Sequence, residues 1–265
     1  MLRRSLLLSA VVLVLHSPGA RAANGTLVIV GGGSTGPEIV AAALQLAGGT
    51  SAVVAVLPQS SAEPDAGTSS VDMWRQAGAK EASIVAFDDR AAAAAALRRA
   101  TLIWIPGGDQ NRFMNAIAGT GLDDVIRERY RSGVTVGGTS AGAAVLADAM
   151  FTGDADLKSL TSGSTVIAKG LGLWPEALID QHFLKRQRDN RLISAVFDRP
   201  SLVGVGIDES TAIIVRDRRF EVIGASSVVV IDARGAKIDK AAPGALISGS
   251  GVRVTVLHAG QRFTM

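Results

Sequence analysis

The chain has 265 residues, a formal net charge of +3 and no cysteine. The lack of cysteine excludes a disulfide framework, a thiol nucleophile and a cysteine metal site. A chain of this length can bury one large hydrophobic core without covalent cross-links. We therefore expect residues 23–265 to form one domain.

The first 22 residues have the three parts of a secretory signal peptide. A short basic start, residues 1–4, precedes an apolar run at residues 6–15 and small residues at Ala20 and Ala22. We predict cleavage after Ala22 and export to the periplasm or the medium. A retained N-terminal anchor is the competing interpretation, although the apolar run is about half the ~20 residues of a spanning helix.

Removal of this segment also removes the positive charge. Three of the 27 basic side chains leave with it, so the mature chain has 24 basic and 24 acidic side chains. This balance gives no reason to expect nucleic acid as a partner or a stable membrane association.

Short runs rich in valine and isoleucine alternate with helical segments up to about residue 150. Such runs are typical of parallel strands that are buried on both faces. The predicted strands are residues 26–32, 52–58, 81–87, 100–108 and 133–138, and the predicted helices are residues 37–48, 70–78, 89–99, 111–131 and 140–150. After about residue 176, strand-like segments separated by short turns predict hairpins. We expect an α/β fold with a mostly parallel sheet flanked by helices and with added C-terminal β-hairpins.

Two polar loops, residues 58–70 and 152–165, interrupt this pattern. In open α/β sheets, ligands bind beyond the carboxyl ends of the strands. We therefore expect the site residues in the segments that follow predicted strands.

Two serines occupy the same G-x-S-x-G pattern, Ser34 in "GGGSTG" and Ser140 in "GGTSAGAA". The pattern alone is a weak signal, because glycine and serine are both common in this chain. Small residues after Ser140 allow a tight strand-to-helix turn, whereas Thr35 is β-branched and Pro37 lacks an amide. The sequence therefore favours Ser140 as the nucleophile.

Residues 31–36 also match the dinucleotide fingerprint G-x-G-x-x-G. A nicotinamide site needs an acidic residue near the end of the second strand, about 20 residues further on, to hold the ribose. No acidic residue lies between Glu38 and Glu63. We therefore interpret residues 31–36 as a tight structural turn at the border of the site, and we expect neither a cofactor nor a metal ion.

A serine nucleophile needs a general base, and histidine is the usual one. Outside the signal segment the chain has His182, which lies among polar residues in "DQHFLKRQRDNRL", and His258, which follows a late strand. His182 is favoured. A carboxylate should orient the imidazole, and spacing alone leaves both Asp180 and Glu209 possible.

The oxyanion hole would use the Ala141 amide and a second amide, from Gly107 or Gly108 in "PGGDQ". Three arginines, Arg186, Arg188 and Arg191, follow His182 within nine residues. They are either a solvated helix start or a clamp for substrate carboxylates, and the sequence leaves both interpretations open.

Five motifs in this order and spacing, "PGGDQ", "GGTSAGA", "GLGL", "DQHFLKRQRDNRL" and "GIDEST", resemble the cyanophycinases of the S51 serine peptidases. The resemblance runs over most of the chain, from "LVIVGGG" to "VVVID". It implies a fold related to class I glutamine amidotransferases and, usually, a homodimer.

The resemblance also implies roles for residues that match the family motifs. Ser140 would be the nucleophile, His182 the general base and acid, and Glu209 the orienting carboxylate, with Gly108 and Ala141 in the oxyanion hole. The residues that would line the substrate site are Gln110, Asp180, Gln181, Arg186, Arg188 and Arg191. The family substrate is cyanophycin, a polyaspartate with arginine on its side chains, which is cut to β-Asp-Arg dipeptides. Acidic residues such as Asp109 or Asp180 would then face the guanidinium groups.

Two alternatives remain beside this interpretation. One is a related peptidase that acts on other β-linked or α-aspartyl peptides. The other is a non-catalytic protein that has kept the fold and binds charged peptides.

Overall fold

The structure is a computed structural model that describes residues 24–153, 160–239 and 241–265. The predicted signal peptide, residues 1–22, and the middle of the second predicted polar loop, residues 154–159, lie outside the described residues.

The first half of the chain forms a parallel α/β body. Its strands are β1 (Leu27–Val30), β2 (Val53–Val56), β3 (Glu81–Ile84), β4 (Leu102–Ile105) and β5 (Thr135–Thr139). Its helices are α1 (Pro37–Leu46), α2 (Thr68–Gln76), α3 (Arg90–Arg99), α4 (Gln110–Ile117), α5 (Leu122–Arg131) and the short α6 (Ala141–Ala144). The five strands pair in parallel in the order β1-β5-β4-β2-β3. Every residue of β1 and β4 is buried, as expected for strands covered on both faces.

The second half adds strands to this sheet and builds another one. Its elements are β6 (Ala149–Phe151), β7 (Ile167–Lys169), β8 (Ala177–Gln181), α7 (Asp189–Asp198), β9 (Val203–Ile207), β10 (Thr211–Arg216), β11 (Arg219–Gly224), β12 (Ser227–Asp232), β13 (Lys237–Asp239), β14 (Ser248–Ser250), β15 (Arg253–His258) and β16 (Arg262–Thr264). The antiparallel strands β10, β11 and β16 extend the first sheet beyond β1. The order of the second sheet is β15-β12-β9-β8-β6-β7, and β13 pairs with β14 alone.

The two large sheets share one hydrophobic core. A single buried cluster contains Leu27 and Ile29 of β1 together with Val205 of β9 and Val230 of β12. Helices α1 and α2 cover the other face of the first sheet, and α7 covers the other face of the second. The predicted α/β fold, with parallel strands, flanking helices and C-terminal hairpins, is confirmed. The second sheet is an addition that the sequence pattern did not predict.

Two predicted helices were wrong in detail. Residues 111–131 form two helices, because Gly119 and Gly121 adopt positive φ angles of 69° and 77° between α4 and α5. Residues 140–150 hold only the four-residue helix α6, because Ala149–Phe151 pairs with β7 and β8 as strand β6. No helix among the described residues is long and apolar enough to cross a membrane.

Candidate active site

Ser140 occupies a sharp turn between β5 and α6. Its backbone angles are φ 55° and ψ −112°, a conformation that is uncommon for a residue with a side chain. A Cβ atom on Gly142 would lie 1.9 Å from the carbonyl oxygen of Ile105, and one on Gly138 would lie 2.4 Å from the Gly142 carbonyl oxygen. Both glycines of the motif are therefore required for α6 to approach β4 and β5.

The Ser140 side chain contacts His182, which follows the carboxyl end of β8. The distance from Ser140 Oγ to His182 Nε2 is 2.9 Å. His182 also has a positive φ, 50°, and its amide donates to the Gly31 carbonyl oxygen at 2.6 Å. The end of the second sheet is thus tied to the end of β1, which brings the imidazole over the serine.

Glu209 completes a chain of three polar side chains. Its Oε1 lies 2.6 Å from His182 Nδ1. With the proton on Nδ1 donated to this carboxylate, Nε2 is left as an acceptor for the Ser140 hydroxyl. Asp180, the alternative that spacing left open, has its carboxylate in another contact, described below. The structure therefore brings together Ser140, His182 and Glu209.

The glycine turn after β1 forms the wall behind this histidine and glutamate. A Cβ atom on Gly32 would lie 2.3 Å from His182 Cε1, and one on Gly33 would lie 2.9 Å from Glu209 Cβ. The Ser210 amide also donates to the Gly32 carbonyl oxygen at 2.9 Å. These contacts agree with a structural turn at the border of the site. The sequence signal was the glycine run itself, which could not show that its neighbours are His182 and Glu209.

Burial lowers the pKa of His182 below its ordinary value of 6.5. The hydrogen bond to Glu209 acts in the opposite direction, while the positive charges of Arg186 and Arg188 lower the pKa further. The neutral imidazole, which can accept a proton from a serine, is therefore favoured at neutral pH.

Asp208 stabilises the turn that follows the histidine, a role that no sequence pattern indicated. Its carboxylate accepts hydrogen bonds from the Lys185 amide at 2.9 Å and from Ser226 Oγ at 2.8 Å. Burial acts to raise the pKa of Asp208, but these and neighbouring hydrogen bonds hold it below its usual value. Asp208 and Glu209 are adjacent in the "GIDEST" motif. Asp208 therefore binds the backbone near His182, and Glu209 binds its imidazole ring.

The two backbone segments predicted to form an oxyanion hole both border Ser140. Ala141 is the next residue and begins α6, so its amide belongs to the turn that holds the serine. A Cβ atom on Gly107 would lie 3.5 Å from Ser140 Cβ and 3.9 Å from Oγ, so the "PGGDQ" turn borders the hydroxyl. The amide of Gly108 is in the peptide unit that starts at Gly107.

Asp180, Arg188 and Arg191 form a buried polar cluster rather than an exposed clamp. The relative exposures of these residues are 0%, 5% and 2%. Arg191 donates to both carboxylate oxygens of Asp180, through Nε at 3.0 Å and through a second, shorter contact from Nη2. Its guanidinium also lies 4.8 Å from the ring centroid of Phe151. Burial raises the pKa of Asp180, and the two guanidinium groups oppose that effect.

The other predicted substrate residues are placed in three different ways. Gln181 accepts a hydrogen bond from Arg188, which also donates to the Gln181 backbone oxygen at 2.7 Å. Gln110 is buried, and its Nε2 donates to the Phe151 carbonyl oxygen at 3.0 Å. Arg186 is exposed in the turn after His182, and Asp109 is exposed at the start of α4.

Part of the predicted substrate set is paired with other groups of the protein. The Asp180 and Arg191 side chains are directed into the protein and pair with each other, because an unpaired buried charge is unfavourable. Neither alternative for the arginines, a solvated face or a clamp, describes Arg191. Direct binding of substrate by Gln110, Gln181, Arg186 or Arg188 stays a prediction.

Ser34 and His258, which the sequence did not favour, lie outside the group formed by Ser140, His182 and Glu209. Ser34 is exposed, and both ring nitrogens of His182 are engaged by Ser140 and Glu209. His258 is exposed on β15, with Nδ1 3.2 Å from the Ala259 carbonyl oxygen. In the part of the chain that the structure describes, no three histidine, aspartate or glutamate residues are grouped as ligands for a metal ion.

A serine on a strained strand-to-helix turn, in contact with a histidine that is paired with a carboxylate, is the arrangement found in serine hydrolases. Comparison with protein families gives a more specific result. The family model of peptidase family S51 matches residues 27–223. The chain belongs to this family and is a serine-type peptidase, as the motifs predicted.

Curated relatives of the chain are cyanophycinases. It is 37% identical over 218 residues to the cyanophycinase of Geminocystis herdmanii, an alignment that covers 78% of this chain and 80% of that protein. It is 39% identical over 222 residues to the cyanophycinase of Synechococcus elongatus, with 80% and 69% covered.

Two solved structures share the fold. A peptidase from an acI-B1 actinobacterium has a TM-score of 0.65 at 20% identity, with 92% of this chain and 98% of that chain covered. A putative peptidase E protein from Listeria monocytogenes has a TM-score of 0.57 at 17% identity, with 77% and 100% covered. This likeness agrees with the expected fold, an α/β body shared with other peptidases.

Proposed function

We propose that this peptidase hydrolyses cyanophycin to β-Asp-Arg dipeptides through Ser140, His182 and Glu209. The observation that carries the proposal is the continuous contact from Ser140 Oγ through the imidazole to Glu209, at 2.9 Å and 2.6 Å. Relatives at 36–39% identity that are named cyanophycinases support the choice of substrate.

The contact distances support a two-step reaction. Ser140 Oγ attacks the carbonyl carbon of an aspartyl residue in the polymer backbone while His182 Nε2 takes the hydroxyl proton. Glu209 stabilises the imidazolium that forms. His182 then gives the proton to the leaving amine, and an acyl-enzyme on Ser140 remains. His182 Nε2 then takes a proton from water, whose oxygen attacks the ester carbonyl, and this proton passes to Ser140 Oγ as the product acid leaves.

The charges at the rim of the site suit a zwitterionic polymer. Arg186 is exposed in the turn beside His182, where it can bind a substrate carboxylate. Asp109 is exposed at the start of α4, two residues beyond Gly107, where it can face a guanidinium group. We assign the Asp180 and Arg191 pair to the support of β8 rather than to substrate.

The experiment compares two serines in the same local pattern. Purified Ser140→Ala should release no β-Asp-Arg from insoluble cyanophycin, measured by mass analysis of the soluble products. Ser34→Ala is the matched control and should retain the wild-type rate. Undiminished release by Ser140→Ala would contradict the assignment. A wild-type protein that cleaves small aspartyl peptides but not the polymer would favour the related-peptidase alternative.

We also propose that the protein is exported and acts as a homodimer. The basic, apolar and small-residue segments at residues 1–22 support export. The mass of the protein recovered from the periplasm or the medium should correspond to a start at residue 23, and retention of the full chain in the cell would contradict export. Sedimentation equilibrium of the mature protein should give twice the chain mass.

A further inference from the structure

Ser60 is a buried polar residue close to the candidate active site, yet it is not one of the three residues in contact there. It lies in the loop after β2 and is 2% exposed. This loop follows the carboxyl end of a strand in the first sheet, as do the turns that hold Gly31, Gly107 and Ser140. The loop therefore reaches the edge of the sheet where the site lies.

Ser60 binds the turn after β4 through both its side chain and its backbone. Its Oγ lies 2.7 Å from the Gly107 carbonyl oxygen, to which it donates, and 3.2 Å from that of Pro106. Its own carbonyl oxygen accepts from the Asp109 amide at 2.8 Å. A Cβ atom on Gly108 would lie 2.4 Å from this oxygen, so the two backbones are in close contact.

The orientation of one peptide unit follows from these hydrogen bonds. A trans peptide has its carbonyl and its N–H on opposite sides. Because the Gly107 carbonyl is directed at Ser60, the N–H of Gly108 is directed away from Ser60. Gly107 itself borders the Ser140 hydroxyl, because a Cβ atom on Gly107 would lie 3.9 Å from Ser140 Oγ.

A Gly-Gly peptide does not fix this orientation by itself. Glycine populates both signs of φ about equally, so the peptide unit between Gly107 and Gly108 can rotate at low cost. A rotation by half a turn would present a carbonyl oxygen to the site in place of an N–H. Such an oxygen would repel the negative charge that develops on a tetrahedral intermediate.

We infer that Ser60 is a positioning residue that holds the Gly107–Gly108 peptide with the Gly108 amide available to the oxyanion. This inference rests on the proposed function, since it requires attack by Ser140. In this role Ser60 acts through the backbone turn that it binds.

The test compares two variants of equal shape. Ser60→Val removes the hydroxyl, while Ser60→Thr keeps it and adds the same methyl group. Loss of one direct oxyanion donor costs about 10²–10³ in kcat. We expect a smaller effect, a fall of about tenfold in kcat for Ser60→Val with KM within about twofold of wild type. Ser60→Thr should restore most of the loss, and Ser61→Ala, in the adjacent position, should leave kcat unchanged.

A second measurement applies if the branched side chains do not fit. Ser60→Ala is assayed for inhibition by an aspartyl peptide aldehyde, whose carbonyl carbon accepts Ser140 Oγ while His182 takes the hydroxyl proton. The adduct carries an oxyanion, so the dissociation constant of the aldehyde should be about tenfold higher for Ser60→Ala than for the wild type. As a control, the Ser60→Ala, Ser140→Ala double variant should bind the peptide with the same dissociation constant as Ser140→Ala. Unchanged kcat and unchanged aldehyde affinity would overturn the role of Ser60. Full activity of Ser140→Ala would instead overturn the proposed function.

Discussion

The contact between Ser140 and His182 depends on two residues with positive φ angles, 55° and 50°. Each lies directly after a strand, and each is held by a hydrogen bond to the end of β1, from Ser140 N to the Val30 oxygen and from His182 N to the Gly31 oxygen. Such strained conformations persist only where surrounding contacts impose them. The end of β1 therefore positions both Ser140 and His182.

The pH dependence of hydrolysis should report the lowered pKa of His182. The proposed reaction needs the neutral imidazole, so kcat/KM should be lost as the pH falls through the pKa of His182 in the free enzyme. Because burial and the nearby arginines lower this pKa below 6.5, the acidic limb of the kcat/KM profile should lie below pH 6.5. Arg186→Gln should move this limb to higher pH, since one positive charge near the imidazole is removed.

Arg186→Lys is the matched control for this profile. It retains the positive charge, so the limb should stay close to that of the wild type even if substrate binding changes. An acidic limb above pH 6.5 in the wild type, or the same limb in all three proteins, would contradict the electrostatic account.

At the scale of elements, two packing features position the turns that hold Ser140 and His182. The first is the close approach of α6 to β4, which the glycines of the G-x-S-x-G motif permit. The second is the Asp180 and Arg191 pair, which joins β8 to α7 in the interior. Since His182 directly follows β8, any movement of this strand changes the distance from Nε2 to Ser140.

Gly142→Ala should destabilise the turn between β5 and α6. The added methyl group would lie 1.9 Å from the Ile105 oxygen, which is backbone and cannot move alone. Overpacking of this kind costs about 1–3 kcal/mol, and the shift of Ser140 should also abolish activity. Gly36→Ala is the control, because its Cβ would meet only the end of the Glu38 side chain. Urea unfolding and the hydrolysis rate measure both effects, and wild-type values for Gly142→Ala would contradict this account.

Arg191→Leu should lower the free energy of unfolding by about 3–5 kcal/mol, because it leaves the fully buried Asp180 carboxylate without its main partner. Adding Asp180→Asn to this variant should restore part of the loss, since the uncompensated charge is then gone. Arg99→Leu breaks an exposed ion pair with Glu81 and should cost no more than about 1 kcal/mol. Equal losses in urea unfolding for Arg191→Leu and Arg99→Leu would show that the buried pair has no special weight.

At the scale of the whole molecule, the shared core couples the two sheets. Trp174 lies in this core and packs edge-to-face against Phe220 of β11, with ring centroids 6.2 Å apart. Trp74 and Trp104 pack against each other at 5.2 Å in the cluster on the opposite face of the first sheet. Fluorescence of Trp174 therefore reports on the core shared by the two sheets, and fluorescence of Trp74 and Trp104 reports on the opposite face of the first sheet.

Unfolding of a chain of residues 23–265 should be a single cooperative transition. Apolar groups of both sheets are buried in one cluster, so neither sheet can lose its partner without exposing part of its own core. Trp174→Phe leaves fluorescence to Trp74 and Trp104, while far-UV circular dichroism follows both sheets. The two probes should give coincident urea transitions in this variant. Two separate midpoints would indicate two independently folding units.

The sequence predicted much of the parallel body because its strands are continuous apolar runs that are buried on both faces. The break between α4 and α5 was missed, since glycines within a periodic segment do not by themselves end a helix. The second sheet was also missed, because β6 and β7 are three residues long and depend on pairing with distant strands. Such pairing has no local signature.

By itself, the sequence determined the residue types of the site, the small-residue turn around Ser140 and the family to which the chain belongs. Each of these depends on neighbours along the chain. Only the tertiary structure decided that Glu209 rather than Asp180 pairs with His182, that Gly32 and Gly33 back the site, and that Arg191 is buried. These outcomes depend on contacts between segments that are far apart in sequence, and on burial, which determines whether a charge binds a partner within the protein or remains in water.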